Sequence, residues 1–369
     1  MAKRYKIKRY NKIYRTDRRA IARRVVLWVA GLAVLAFIGY CAYGPVVNFL
    51  SGKYSGSKPD LSKSSSAASS SAEKPVEKKD DSYRSVDRSQ LATPQQISDT
   101  VAGLADAGVT RVLIELKDDS GMLYYRSQNQ QASAAGAISD QAVDLDAFIA
   151  ACKEKDIQVA AVLSALKDPL MAGYDKSSAI LYGDGSYIWL DDTAANGGKP
   201  WLNPNAGSTR QYLQSLCTEL CEKGVSEIVL KDAVYPNGLS QSMMNFGFTS
   251  ASQTKQSALQ DLIQQLQTAV GEKGGILSLV YDNQWLYEDS VNEVNYKALT
   301  ADRFYLDTAL STVETGTVLG DYTVSSGATQ QEVSQKLYDY YQQKIPGVIA
   351  FGPQGTSITQ QTKGQFYNS

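Results

Sequence analysis

The chain has 369 residues, of which 43% are hydrophobic and 20% charged, so it can bury the core of one large or two small domains. It contains no histidine, which excludes Ser-His-Asp and Cys-His catalytic systems and any histidine-bound metal. The net charge is −1, but residues 1–24 hold eleven Lys or Arg and one Asp, so the rest of the chain is acidic. An acidic body argues against nucleic acid as a partner.

The N-terminal region has the pattern of a membrane anchor. After the basic residues 1–24, the stretch from Val25 to Tyr43 carries no charge, and apolar character continues to Leu50. About twenty apolar residues span a bilayer core, and positive charge remains on the cytoplasmic side. We expect a cytoplasmic tail at 1–24 and an uncleaved transmembrane signal anchor at 25–50, because the apolar stretch is longer than that of a cleaved signal peptide.

Residues 51–82 are rich in serine and lysine and contain almost no large apolar side chain. Such a composition cannot offset the entropy of ordering the chain, so the pattern predicts a flexible linker. Residues 83–369 are then predicted to form an extracellular domain at the cell membrane of a single-pass protein.

In that domain, amphipathic helices alternate with short apolar strands. Apolar residues recur at helical spacing before each strand, as in Ile97, Val101 and Leu104, and Gly or Asp marks the turns. The predicted strands are 83–86, 109–116, 157–163, 226–231, 275–281, 303–306 and 347–351, with an eighth expected between Thr312 and Val324.

Repeated strand–helix units require parallel strands covered by helices. The length of about 285 residues suits an α/β fold of the (β/α)8 TIM-like barrel type. A doubly wound open sheet is the alternative, but the sequence lacks a Gly-rich phosphate-binding turn after its first strand.

Charged residues follow most of the predicted strands, where a barrel holds its chemistry. The strand-end residues are Glu115, Lys117, Asp118, Asp119, Lys167, Asp168, Lys231, Asp232, Asp282 and Asp307. Strict alternation along the second strand predicts that Glu115 and Lys117 share the face of Leu113. Aspartates are also common turn and cap residues, so any single one has a structural explanation as well.

Aromatic residues lie in the same segments. Trp189, Trp201, Trp285 and Tyr235 all follow strand ends. Flat rings beside carboxylates are typical of carbohydrate clefts, although the same rings could simply cover the barrel.

Three stretches carry a resemblance to a known family. They are VLIELKDD after residue 111, ALKDP after residue 164, and PWLNP at residues 200–204 leading to IVLKDAVYP. In this order they resemble the glycoside-hydrolase-like TIM-barrel family that was long classed as a domain of unknown function, over about residues 92–236. The resemblance implies a barrel and glycosidic bond hydrolysis.

Three positions depart from the family pattern. Lys231 stands where the family has an Asp at the end of strand four, and Val234 stands where it has an Arg; Glu115 replaces an Asp in strand two. A charge reversal at a catalytic position could remove activity.

Three functions therefore remain open. The first is a membrane-anchored glycoside hydrolase acting on cell-wall or surface polysaccharide, with catalytic candidates Asp232, Asp118 and Glu115. Lys117, Lys231, Trp189, Trp201, Trp285 and Tyr235 are its candidate substrate-binding residues. The second is a non-catalytic carbohydrate-binding or envelope scaffold module; a Lys231 Schiff-base lyase is a third, weaker idea. No cofactor or metal is expected, and Cys152, Cys217 and Cys221 fit small core residues.

Overall fold

The computed structural model describes residues 82–352, 356, 358 and 365–368. All of them belong to one compact unit, residues 77–369. The predicted tail (1–24), anchor (25–50) and nearly all of the linker lie outside the described residues. Within the part that is described, no helix combines the length and the apolar character needed to cross a membrane.

Eight parallel strands form the barrel-like part of the main, ten-stranded sheet. They are β1 Ser82–Val86, β2 Arg111–Lys117, β3 Gln158–Ser164, β4 Glu227–Lys231, β5 Ile276–Tyr281, β6 Arg303–Asp307, β7 Ile349–Phe351 and β8 Gln365–Asn368. Strands β1 to β7 are neighbours in chain order, and β8 pairs with β1. The end strands β7 and β8 contact each other, so the sheet is barrel-like.

The eighth strand lies later in the chain than its predicted position. Between residues 312 and 324 the chain instead forms a small antiparallel hairpin of Val318–Leu319 and Tyr322–Thr323. Turn residues such as Gly316 and Gly320, both with positive φ, limit this stretch to two-residue strands. The other seven predicted strands are present within a few residues of their expected bounds.

Helices follow the strands as the sequence predicts. They are α1 Pro94–Asp106, α2 Gln130–Ala134, α3 Leu145–Glu154, α4 Pro169–Tyr174, α5 Gly207–Lys223, α6 Lys255–Glu272, α7 Asn283–Leu286 and α8 Gln330–Tyr341. Thr93 caps α1 ahead of Pro94, and Asp144 caps α3. The apolar faces of α1, α3, α5, α6 and α8 pack against the outside of the sheet in the main hydrophobic core.

Short strands and 3-10 turns lie in the segments that connect the main strands and helices. The additional strands are Leu123–Tyr125, Ile138–Val143, Leu181–Tyr182, Tyr187–Ile188 and Met244–Asn245. The last three pair into a small antiparallel sheet built from the segments that follow β3 and β4. Short 3-10 turns are Arg88–Leu91, Lys176–Ser178, Ala194–Asn196, Gln241–Met243, Tyr296–Ala298 and Leu310–Thr312.

A buried ionic network lies inside the barrel, at the end where the strands begin. The fully buried carboxylate of Glu227 accepts from Arg111 Nη1 at 2.7 Å, Arg303 Nη1 at 3.0 Å, the Tyr305 hydroxyl at 2.9 Å and Ser278 Oγ. Above it an apolar layer fills the interior, formed by Tyr83, Leu113, Ala160, Val229, Tyr305 and Ile349. This layer separates the network from the other end of the barrel.

Replacing Glu227 with Gln should lower the free energy of unfolding by about 3–5 kcal/mol, because Arg111 and Arg303 lose their buried counter-charge. Chemical denaturation followed by tryptophan fluorescence measures this. Glu222→Gln is the matched control, since Glu222 forms an exposed pair with Lys273, and its change should be within about 0.5 kcal/mol. Equal effects of the two variants would contradict the role of the network.

Candidate functional site

A pocket of about 660 Å³ lies at the carboxyl ends of the strands. The side chains or backbone of the strand ends and following loops line it: Ser85, Val86, Asp87, Arg88, Leu113, Glu115, Val162, Val229, Lys231, Asp232, Val234, Val280, Tyr281, Asp282, Trp285, Asp307 and Phe351. Its floor is the apolar layer of the barrel, and its wall carries five carboxylates and two cations. The chemistry of the pocket therefore depends on how these charges are paired.

Both cations pair with the same carboxylate. Lys231 Nζ contacts Glu115 Oε1, and Arg88 Nη1 lies 3.2 Å from Glu115 Oε2. Burial alone would lower the pKa of Lys231, but the charges of Glu115, Asp232 and Asp119 raise it above its ordinary value. Lys231 therefore stays charged and is a poor nucleophile, which argues against a Schiff-base role.

Arg88 is held in place from below. Its guanidinium lies 3.4 Å from the centre of the Tyr124 ring, and the Tyr124 hydroxyl donates to Asp118 Oδ2 at 2.7 Å. Burial by itself would raise the pKa of Asp118, but hydrogen bonds from Ser120, Tyr124 and Met122 together hold it below its ordinary value. Asp118 thus supports the wall behind the pocket lining and has the properties of a structural carboxylate.

Asp282 and Asp307 form a different kind of carboxylate pair. Asp282 follows β5 and Asp307 ends β6, both half-buried in the pocket wall. Burial first, and then the charge of Asp307, raise the pKa of Asp282 to about 6. Burial also raises the pKa of Asp307, while a hydrogen bond from Ala309 N–H and the charge of Lys231 oppose that rise. Both pKa values are raised, and the rise is large at Asp282, so Asp282 is the carboxyl that holds a proton more readily.

Asp232 also reaches the pocket. It follows β4 with φ of 53°, a left-handed conformation, and its Oδ2 accepts a hydrogen bond of 2.6 Å from Ser164 Oγ. The left-handed turn brings the Asp232 side chain to the pocket. Regular alternation along β4 would instead place it on the face opposite to Lys231. Asp232 and Glu115, two of the three predicted catalytic residues, thus line one pocket, whereas Asp118 lies behind it.

Lys117 does not share the inward face with Glu115, as strict alternation predicted. The pairing of β2 with β3 shifts register between Glu115 and Lys117, so the strand contains a bulge there. Lys117 is fully buried outside the barrel lining, 3.0 Å from Asp168 Oδ2 and 2.6 Å from the Ser164 carbonyl oxygen. A buried lysine needs such partners, and Asp168 also caps α4 through Met171 N–H.

The predicted aromatic residues separate into two groups. Trp285 lines the pocket and packs edge-on against Tyr296, with ring centres 5.4 Å apart. Trp189 is fully buried, with its Nε1 donating to the Leu239 carbonyl, and Trp201 is nearly buried and donates to Asp191. Tyr235 is buried as well, and its hydroxyl donates to the Lys255 carbonyl. These three residues are structural members of the loops around the pocket.

Sequence reasoning did not select Arg88, Asp282 or Asp307 as site residues. Asp282 and Asp307 were visible as strand-end carboxylates, and Arg88 closely follows the first strand. Alternation is the signal that marks Asp282 and Asp307, because they fall two residues after the inward-facing Val280 and Tyr305. Glu115 and Lys231 follow Leu113 and Val229 in the same way. Within the described part of the chain, no cluster of three or more Cys, Asp or Glu side chains is arranged to hold a metal ion.

Several solved structures are similar to this chain. A hypothetical protein from Ruminiclostridium thermocellum is 20% identical, with 53% of this chain and 95% of that protein aligned and a TM-score of 0.45. A family 20 β-N-acetylglucosaminidase is 11% identical over 72% of this chain and 60% of that enzyme, with a TM-score of 0.42. The chitobiase of Flavobacterium johnsoniae is 13% identical over 74% of this chain and 38% of its own, with a TM-score of 0.45.

This chain therefore spans less than two thirds of each of these two glycosidases. No curated protein matches the sequence. A family model described as "Putative glycosyl hydrolase domain" matches residues 85–290, which is more than half of the chain and includes Glu115, Lys231, Asp232 and Asp282. The resemblance carried by the three sequence motifs is confirmed, and the protein belongs to this glycosyl-hydrolase-like family.

Proposed function

We propose that the protein is a glycoside hydrolase whose acid and base are Asp282 and Asp307. The observation that carries the proposal is the raised pKa of Asp282, about 6, beside a second carboxylate in a pocket of about 660 Å³. General acids in glycosidases need a pKa near the working pH, and paired carboxylates with different environments take the acid and base roles. Membership of the family supports the same reaction class.

In the proposed reaction, protonated Asp282 donates its proton to the glycosidic oxygen as the bond to the sugar carbon breaks. Ionised Asp307 acts on the opposite side, either attacking the sugar carbon directly or taking a proton from the attacking water. The anomer of the first product identifies which of the two occurs, because direct attack retains the configuration and water attack inverts it. The electrons of the broken bond leave with the departing oxygen.

The remaining pocket residues have supporting roles in this proposal. Trp285 offers a ring for stacking on a sugar, and Asp232 offers carboxylate oxygens to its hydroxyl groups. The pair of Lys231 with Glu115 keeps the positive charge of Lys231 next to the pocket, where it favours the ionised form of Asp307.

A non-catalytic carbohydrate-binding module is the second candidate. It is favoured by the ion pair between Lys231 and Glu115, because Lys231 stands where the resembling family has an Asp and Glu115 is neutralised by it. In that case the pocket would bind glycans without cleaving them, and Asp282→Asn would change no measured rate.

The proposal includes a location at the outer face of a membrane. The basic residues 1–24, the apolar residues 25–50 and the polar residues 51–82 support an anchor and a linker ahead of a (β/α)8 barrel at 83–369. Such a tether would bring the domain to cell-wall or surface polysaccharide, which is the proposed substrate.

Asp282→Asn should lower kcat by about 10²–10⁴-fold on polysaccharide, because the amide cannot donate the acid proton. Activity is measured as reducing ends released from a panel of cell-wall polysaccharides. The loss should be much smaller on 2,4-dinitrophenyl glycosides, whose leaving group needs no protonation. In the parent, kcat should fall above pH about 6 as Asp282 ionises. Asp289→Asn, an exposed carboxylate paired with Lys297, is the control and should keep the parent rate.

The same residue should affect stability with a defined sign. The pKa of Asp282 is higher in the folded state than its ordinary value of 3.8, so its contribution to stability is full below pH about 4 and is lost as pH rises through about 6. Asp282→Asn keeps a cap for α7 but never ionises. The difference in free energy of unfolding between the variant and the parent should therefore be about 1–3 kcal/mol more favourable to the variant above pH 7 than at pH 4. Denaturation across this range measures it, and Asp289→Asn should show no such gain.

The anchor is tested separately. Ile38→Arg places a charge near the centre of residues 25–50, which costs about 3 kcal/mol at a helix centre, so it should move part of the protein out of the membrane fraction of lysed cells. Ile38→Leu should leave the fractionation unchanged. Protease added to intact cells should digest the domain of the parent chain; full protection would contradict an external location.

A further inference from the structure

An exposed aromatic and apolar surface lies on the segments that follow β3 and β4. Tyr187 is 75% exposed, Leu239 52%, Met243 40% and Tyr182 38%. We name these four residues the tyrosine platform. They account for four of the seven large hydrophobic residues that are exposed in the described part of the chain. Clustered exposure of this kind marks a binding surface more often than chance.

The platform is built on a rigid base. Tyr182 and Tyr187 are direct partners in the small antiparallel sheet, so their side chains lie on the same face. Met243 joins them because its carbonyl accepts from Gly183 N–H at 2.8 Å. Beneath Leu239, the fully buried Trp189 donates from Nε1 to the Leu239 carbonyl at 3.1 Å. A groove of about 270 Å³ borders this surface, and its lining includes Tyr182 and Leu239 of the platform together with Ile188 and Trp189.

The platform is on the same side of the barrel as the pocket. The segment that begins with Asp232 and Val234 in the pocket wall continues directly to Leu239 and Met243. The other platform strands come from the segment that follows β3, whose carboxyl end also faces the pocket. A polymer that extends from the pocket along this rim would meet the platform.

The chemistry of the platform fits a glycan better than a membrane. Tyrosine rings present flat apolar faces with polar hydroxyl ends, and Asp192, Thr193 and Ser240 border the groove with hydrogen-bonding groups. On the turn between the two tyrosine strands, Asp184 is balanced by Lys176, whose Nζ donates to the Ser186 carbonyl at 2.7 Å, so the turn carries no excess of positive charge for anionic lipid headgroups. The described residues that line the groove include no Lys or Arg, the residues with which membrane-binding surfaces contact anionic lipids.

We propose that the tyrosine platform is a polysaccharide-binding surface that holds the polymer next to the pocket. Tyr182 and Tyr187 stack on sugar rings, and the groove beside Leu239 receives a neighbouring unit. The inference rests on the proposed function for its choice of polymer, but it concerns binding at residues remote from Asp282 and Asp307.

The test is affinity electrophoresis of the full chain in gels that contain glycol chitin, glycol chitosan or solubilised peptidoglycan. The parent and the Asp282→Asn variant should both be retarded by at least one of these polymers. Tyr182→Ala/Tyr187→Ala should weaken that binding about tenfold or more in Kd. Tyr174→Ala is the matched control, because Tyr174 is 56% exposed but belongs to α4 and not to the small antiparallel sheet, and it should bind like the parent.

Two further measurements keep the outcomes distinct. Any hydrolysis of 2,4-dinitrophenyl glycosides should be unchanged in the double variant, so loss of polymer binding with intact cleavage supports the platform even if Asp282 proves dispensable. Tyr187→Ala alone, at the most exposed position, serves if the double variant melts early, and it should weaken polymer binding in the same direction.

The proposal is overturned if none of the three polymers retards the parent, or if the tyrosine variants bind as the parent does. It is also overturned if these substitutions abolish sedimentation with phosphatidylglycerol vesicles, or change the oligomeric state, while polymer binding stays the same. Those results would assign the surface to a membrane or to a second copy of the chain.

Discussion

The buried carboxylate of Glu227 joins the inward faces of four strands of the barrel, β2, β4, β5 and β6. A fully buried glutamate requires charged or hydrogen-bonded partners, and it finds them on three other strands, in Arg111 of β2, Arg303 of β6 and Ser278 of β5. Because side chains alternate along a strand, this network at one end determines which residues face inward at the other end. Glu115, Lys231, Asp282 and Asp307 are therefore directed to the pocket by an interaction at the opposite end of the barrel.

The chemistry of the pocket depends on which of its carboxylates form ion pairs. Lys231 and Arg88 both contact Glu115, so one carboxylate takes both nearby cations. Among the described residues, neither Asp282 nor Asp307 forms an ion pair of its own, and burial acts on both. The substitution that made catalysis doubtful at the sequence level, a lysine at a family aspartate position, is thus compatible with an acid–base pair on the next two strands. Burial raises the pKa of both carboxyls, so their ionised forms lower the stability of the fold.

The sequence was sufficient for the periodic parts of the fold and insufficient for long-range relations. Seven strands and the main helices follow from apolar spacing and caps such as Thr93 and Asp144. The last strand, Gln365–Asn368, could not be found because its apolar pattern is short and its pairing with β1 joins the two ends of the domain. The burial of Trp189 and Trp201 was equally hidden, since it depends on the small sheet that the segments after β3 and β4 build together.

The bulge in β2 shows how a local departure from alternation shapes the site. If β2 were regular, Lys117 would face inward close to Glu115 and add a third cation to that side of the pocket. The register shift instead turns Lys117 outward to Asp168, which pairs with it and caps α4. One bulge therefore removes a lysine from the pocket lining and gives it a buried partner behind the wall. The pKa of Asp282, which burial first and then the charge of Asp307 raise to about 6, is thus not opposed by a further lysine inside the barrel.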